Sequence, residues 1–79
     1  MKIKIISSHK ILYQENIISV IAPGFHGYFQ ILKNHAPFIS ILKNGLLKLK
    51  SDKKDVNKEI KIKGGLLQVK KNIVTVILQ

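Results

Sequence analysis

No cysteine occurs among the 79 residues, so the chain can build no disulfide framework, no thiolate metal site and no cysteine nucleophile. Arginine is missing too. Only Glu15, Asp52, Asp55 and Glu59 carry negative charge, against fourteen lysines, giving a net charge of +10. A cationic excess of that size suits nucleic acid, anionic lipid or an acidic protein partner. It is also what a strongly AT-biased coding sequence rich in lysine, isoleucine and asparagine yields, and this compositional reading is the simpler one. No apolar run is long enough to span a bilayer. Met1-Lys2-Ile3-Lys4 alternates like a strand instead of opening a signal peptide, so the mature chain is expected to begin at its first residue. His9, His26 and His35 stand on separate segments, and neither a nucleophile motif nor a G-x-x-x-x-G-K phosphate loop is present. The expectation is therefore a protein that is not an enzyme, with no catalytic residue, cofactor or metal.

What is there is a β pattern. Short apolar or alternating runs recur between turn signals, and no helical periodicity appears. Strands are expected over Lys2 to Ser7, Lys10 to Gln14 and Asn16 to Ala22, with breaks at Ser8-His9 and Glu15-Asn16. Leu47-Lys48-Leu49-Lys50 and Ile60-Lys61-Ile62-Lys63 alternate strictly, so a hairpin puts Leu47, Leu49, Ile60 and Ile62 on one face and lysines on the other. The register considered sets Leu49 against Ile60, Lys50 against Glu59 and Lys48 against Lys61. Ser51 to Lys58 reads as a polar, mobile tip. Gly64-Gly65 marks a bulge or close backbone approach, Lys71-Asn72 a turn, and Ile73 to Leu78 a last strand buried on nearly both sides. Together these predict an all-β fold: a small flattened antiparallel β-sandwich of about eight to ten short strands, forming one domain over residues 1–79. A domain this small buries only about 60 to 65 per cent of its unfolded surface, so a partner would add stability.

The most constrained stretch runs from Pro23 to Gly45. Pro23-Gly24 and Gly27 bracket Phe25-His26 in a tight apical loop, and Tyr28 to Leu32 follows as a strand. Pro37 then forbids a helix through Lys33-Asn34-His35-Ala36, Phe38 to Leu42 is again a strand, and Asn44-Gly45 is a strong turn signal. His35 reads as a side chain bonding backbone carbonyls freed by the turn at Pro37, in preference to a pH-sensitive interface group. Gly24, His35, Pro37, Gly45, Gly64 and Gly65 are thus taken as shaping the backbone.

The run Pro23-Gly24-x-x-Gly27, then Gln30-Ile31-Leu32, Asn34-His35-Ala36-Pro37 and Gly45, resembles the epsilon subunit of F-type ATP synthases. The first strand and Gly64-Gly65-Leu66-Leu67-Gln68-Val69 with Asn72 to Ile77 extend the resemblance over essentially the whole chain. It implies a ten-stranded sandwich in the central stalk, clamped to the gamma subunit and resting on the c-ring within a hetero-oligomeric membrane complex. It further implies a peripheral location on the cytoplasmic face of a bacterial inner membrane, or its organellar equivalent. The loop Phe25, His26, Gly27 and Tyr28 would face the c-ring, and Ser7, Phe38, Ile39 and Ser40 would face gamma. The family commonly places an acid after the second loop glycine. Tyr28 stands there instead, so an apolar or hydrogen-bonded contact is expected. Family members commonly continue into two helices that restrain ATP hydrolysis. Here the sequence stops at Leu78-Gln79, and the expectation is a subunit that does not inhibit hydrolysis.

The alternative is a small basic nucleic-acid-binding β-barrel, gripping phosphates with Lys48, Lys50, Lys61 and Lys63 and stacking bases on Tyr13, Tyr28 or Phe29. Against it, those aromatics do not alternate with the lysines, and arginine is absent.

Overall fold

The computed structural model describes residues 1–53 and 57–79, and among them every regular element is a strand. In chain order these are β1 (Lys2–Ser7), β2 (Lys10–Gly24), β3 (Gly27–Leu32), β4 (Phe38–Leu42), β5 (Gly45–Ser51), β6 (Asn57–Ile62), β7 (Gly65–Lys70) and β8 (Ile73–Leu78). Neighbours run in the order β1-β8-β7-β4-β2-β5-β6, with β3 on β2 and a further β1–β2 pairing. All pairings are antiparallel except β1 with β8. The hydrogen-bonded sheet folds over on itself into a sandwich. One layer is β4-β7-β8-β1 with the first half of β2, and the other is β3, the second half of β2, β5 and β6.

The long β2 replaces the two strands expected around Glu15-Asn16. Lys10 to Asn16 pairs with β1, then the chain crosses to the other layer, where Ile17 to Ile21 pairs with β5 and Ser19 to Gly24 with β3. The polar residues mark the corner and not a break, because the backbone stays bonded through it: the Ile17 N–H donates to the Met1 carbonyl at 2.7 Å. This strand serves both layers, so one strand stands where the sequence suggested two; eight strands are described where the resemblance implied ten.

Turn chemistry fixes two hairpins. Ser8 and His9 take φ of 50° and 66°, and Lys71 and Asn72 take 51° and 61°, so each pair forms a two-residue turn with both φ positive. Both positions were legible as turns. Asn44-Gly45 forms a bend but no two-residue hairpin turn: neither residue takes a positive φ, and the segment carries the chain from β4 to β5, with which β4 does not pair. Gly45 is needed for space, since a Cβ there would lie 2.7 Å from both Pro23 Cβ and Tyr28 Oη.

The core is one cluster between the layers, built from Ile3, Ile5, Ile17, Val20, Ile31, Leu47, Leu49, Leu67, Val69, Val74 and Val76 with their neighbours. Alternation puts Leu47, Leu49 and Ile62 inside as expected, with Ile60 partly covered. The hairpin register differs by two residues from the one considered: Leu47 faces Ile60, Lys48 faces Glu59, and Leu46 faces Lys61. A two-residue slip leaves every side chain on its face, and the register adopted replaces a Lys48–Lys61 opposition with an opposite-charge pair. Of the polar tip expected between Ser51 and Lys58, residues 54–56 lie outside the described residues. β8 is also not buried on both sides: Val74 and Val76 are in the core, whereas Ile73 and Ile77 are exposed.

Candidate docking surfaces

Gly24 and Gly27 face each other across the β2–β3 hairpin, leaving Phe25-His26 as its two-residue tip. Gly27 has φ +125°, which only glycine holds without strain, while a Cβ at Gly24 would lie 2.8 Å from the Phe29 ring. Phe25 is 66% exposed and meets His26 edge-to-face at 5.8 Å. Tyr28 is 56% exposed but anchored, because the Leu46 N–H donates to its hydroxyl at 3.0 Å.

Beside this loop, between β3 and β4, lies an open depression of about 780 Å³ lined by Gly24 to Phe29 and Phe38 to Ile41. No lysine lines it, on a chain with fourteen. Two of its lining rings, Phe29 and Phe38, meet edge-to-face at 5.4 Å, and Phe38 also meets His35, outside the lining, edge-to-face at 5.6 Å. The His35 Nδ1–H donates to the Ala36 carbonyl at 2.7 Å, the local backbone bond anticipated for it. A reciprocal amide pair steadies this connection. Asn72 Oδ1 accepts from the Asn34 N–H at 2.7 Å, and Asn72 Nδ2 donates to Asn34 Oδ1 at 3.0 Å.

The residues assigned from sequence to two partners therefore divide differently in space. Phe38, Ile39 and Ser40 adjoin the Phe25–Tyr28 loop in one depression, while Ser7 ends β1, separated from β4 by β8 and β7. Along β4, Ile39 and Ile41 point outward, each 64% exposed, and Leu42 points to the core. A Cβ on Gly65 would enter the Ile77 carbonyl, and its φ of +156° likewise favours glycine, so Gly65 lets β7 and β8 close up, whereas a Cβ on Gly64 would meet the Gln79 side chain and the Leu42 carbonyl.

Sequence reasoning missed the outer face between these edges. Register aligns Ile41 with Leu66, Leu66 with Ile77, Ile77 with Ile6 and Ile6 with Ile11, an aliphatic row across five strands. The signal was present in β8, whose residues are apolar on both faces, and it was read as burial.

Lys48, Lys50 and Lys61, named in the nucleic-acid alternative, are exposed on one face of the β5–β6 hairpin. Glu59 stands opposite Lys48, and Lys58 lies 4.6 Å from the Tyr13 ring centroid. The Tyr13 hydroxyl donates to Glu15, and burial, reinforced by that bond, pushes its pKa above the usual value. Tyr13 is thus engaged by the chain's own side chains.

These features define a small β-sandwich with exposed apolar surfaces and no assembled catalytic group among the described residues. The family model described as "ATP synthase, Delta/Epsilon chain, beta-sandwich domain" matches residues 1–79, and the chain belongs to that family. It is 38% identical over 77 residues to the "ATP synthase epsilon chain" of Leptospira borgpetersenii, covering 98% of this chain and 59% of the relative. It is 40% identical over 72 residues to the protein of the same name from Chlorobium limicola, covering 90% and 80% respectively. The chain thus spans about three-fifths of the length of the Leptospira relatives it matches. The fold superposes with a TM-score of 0.87 on a chain of the Euglena gracilis mitochondrial ATP synthase, at 17% identity, covering 96% of this chain and 48% of that one.

Proposed function

We propose that this chain is a non-catalytic rotor component of a proton- or sodium-translocating F-type ATP synthase, joining the gamma shaft to the c-ring at the membrane surface. Residues 1–79 act in this reading as one rigid unit. Ion flow turns the ring, and the sandwich helps lock ring to shaft so that torque reaches the catalytic sites. The observation that carries the reading is the lysine-free depression beside the exposed Phe25–Tyr28 loop, on a chain whose whole length matches the epsilon-type sandwich. An exposed aromatic tip on a rigid hairpin suits protein contact. Without an acid in the loop, Phe25 supplies apolar area, and Tyr28 is held in place by its bond to Leu46. The lysine excess adds attraction to anionic headgroups nearby, up to about 1 kcal/mol per residue close to the surface.

Site-specific cross-linking in the assembled complex tests the reading. A photoreactive side chain replacing Phe25 is expected to label the c subunit, and one replacing Ile39 is expected to label gamma. Assembly with both positions unlabelled, or labelling of unrelated proteins only, contradicts it.

A further inference from the structure

We infer that the outer face of β2 and β5 holds a binding site for a compact phosphate-bearing anion, centred on Lys50 and the Ser19 hydroxyl. The pairing register assembles it from four strands. Ser19 of β2 and Asn57 of β6 stand on either side of Lys50, Ile21 and Glu59 stand on either side of Lys48, and Gln30 of β3 lies beyond Ile21. These residues line a hollow of about 280 Å³. Its floor is low because Ser19 is short between two long neighbours, Leu32 and Lys50. The β2–β5 register also shifts between Ile17 and Ser19, and a bulge of this kind re-aims the side chain beside it. Ser19 is only 7% exposed yet lines the hollow, and its hydroxyl makes no hydrogen bond to another described residue.

The charge arrangement points to an anion. Glu59 stands opposite Lys48, but both cross-strand neighbours of Lys50 are uncharged, one a hydroxyl and the other a carboxamide. An ammonium flanked by two neutral donors presents three hydrogen-bond partners to the oxygens of one phosphate, and bonds of this charge-assisted kind are the strong ones. Three lysines against one glutamate leave the lining at +2, which a phosphate dianion neutralises. Lys58 is the rim member of the three, drawn toward the Tyr13 ring at 4.6 Å. Size narrows the class further. Sites for drug-sized ligands run from about 300 to 1,000 Å³, so this smaller hollow suits free phosphate or the phosphate ester of a short alcohol, its carbons resting on Ile21.

The site lies in the layer away from β4 and β7 and does not rest on the rotor reading, so the titration below and the cross-linking fail separately. The full chain is titrated with inorganic phosphate and followed by labelled-amide NMR, with chloride holding ionic strength constant. Saturable shifts are expected at Ser19, Lys50 and Asn57. Lys50→Gln is expected to weaken binding at least about tenfold. Glu59→Gln removes a like charge and is expected to tighten it, while Lys70→Gln, the same charge change in the other layer, leaves it within about twofold. Lys50 and Glu59 are both exposed, and thermal denaturation confirms that each variant folds. Shifts that rise without saturating, equal weakening by Lys50→Gln and Lys70→Gln, or weakening by Glu59→Gln overturns the inference. So does a saturable response of the same amides to anionic phospholipid vesicles or single-stranded RNA when free phosphate produces none, because the face then reads a headgroup or a polymer instead of a compact anion.

Discussion

Gly27 holds φ +125° with nothing within 4 Å of where a Cβ would stand, so what a side chain meets there is backbone strain and not a clash. Gly27→Val therefore reshapes the Phe25-His26 tip, at a cost of about 1 to 3 kcal/mol. Pro37 is exposed and only directs the chain into β4, so Pro37→Ala stays within about 0.5 kcal/mol of the parent. Paired thermal denaturation measures both, and equal effects would contradict the assignment of strain to Gly27. Gly27 could be read from sequence because a glycine two residues beyond Pro-Gly-x has few other uses. Gly45 could be marked but not understood. Its reason is the approach of Pro23 and Tyr28 from elsewhere in the chain, and nothing local in Asn44-Gly45 carries that information.

At the scale of elements, the β5–β6 hairpin chooses among registers that all keep leucine and isoleucine inside, and cross-strand charge is one term that separates them. Glu59→Lys removes the Lys48 partner and is expected to cost about 0.5 to 1 kcal/mol, with faster amide exchange confined to β5 and β6. Unchanged exchange there would show that charge plays no part. The corner where β2 meets β6 carries the Tyr13–Glu15–Lys58 cluster. The Tyr13 pKa is raised in the fold, so its contribution is complete below the unfolded value of about 10 and is lost as pH rises through the folded one. Stability above pH of about 10 should therefore fall more steeply for the parent than for Tyr13→Phe, as chemical denaturation at stepped pH would show; parallel curves refute this. Strand positions and hairpin turns were legible because alternation and turn residues are local. The continuity of β2 and the exposed side of β8 were not, since both depend on which strands end up as neighbours.

The whole molecule combines a buried aliphatic core with an apolar loop, a lysine-free depression and an aliphatic outer row, on a chain of net charge +10. Such surfaces suit a part held between partners better than one working alone. Family and sandwich architecture could be read from the ordered motifs, because glycines, the Asn34–Pro37 segment and strand periodicity are set by the backbone that the family shares. The outer-face row escaped notice because its members come from five strands and align only when the sheet is assembled.

The most direct test is binding of the purified chain to the gamma subunit of the same organism at physiological salt, with single-stranded RNA as competitor. The rotor account predicts a tight one-to-one complex that RNA does not disturb. Failure to bind gamma, together with RNA binding that weakens steeply with salt, would contradict it and make the lysine surface the site.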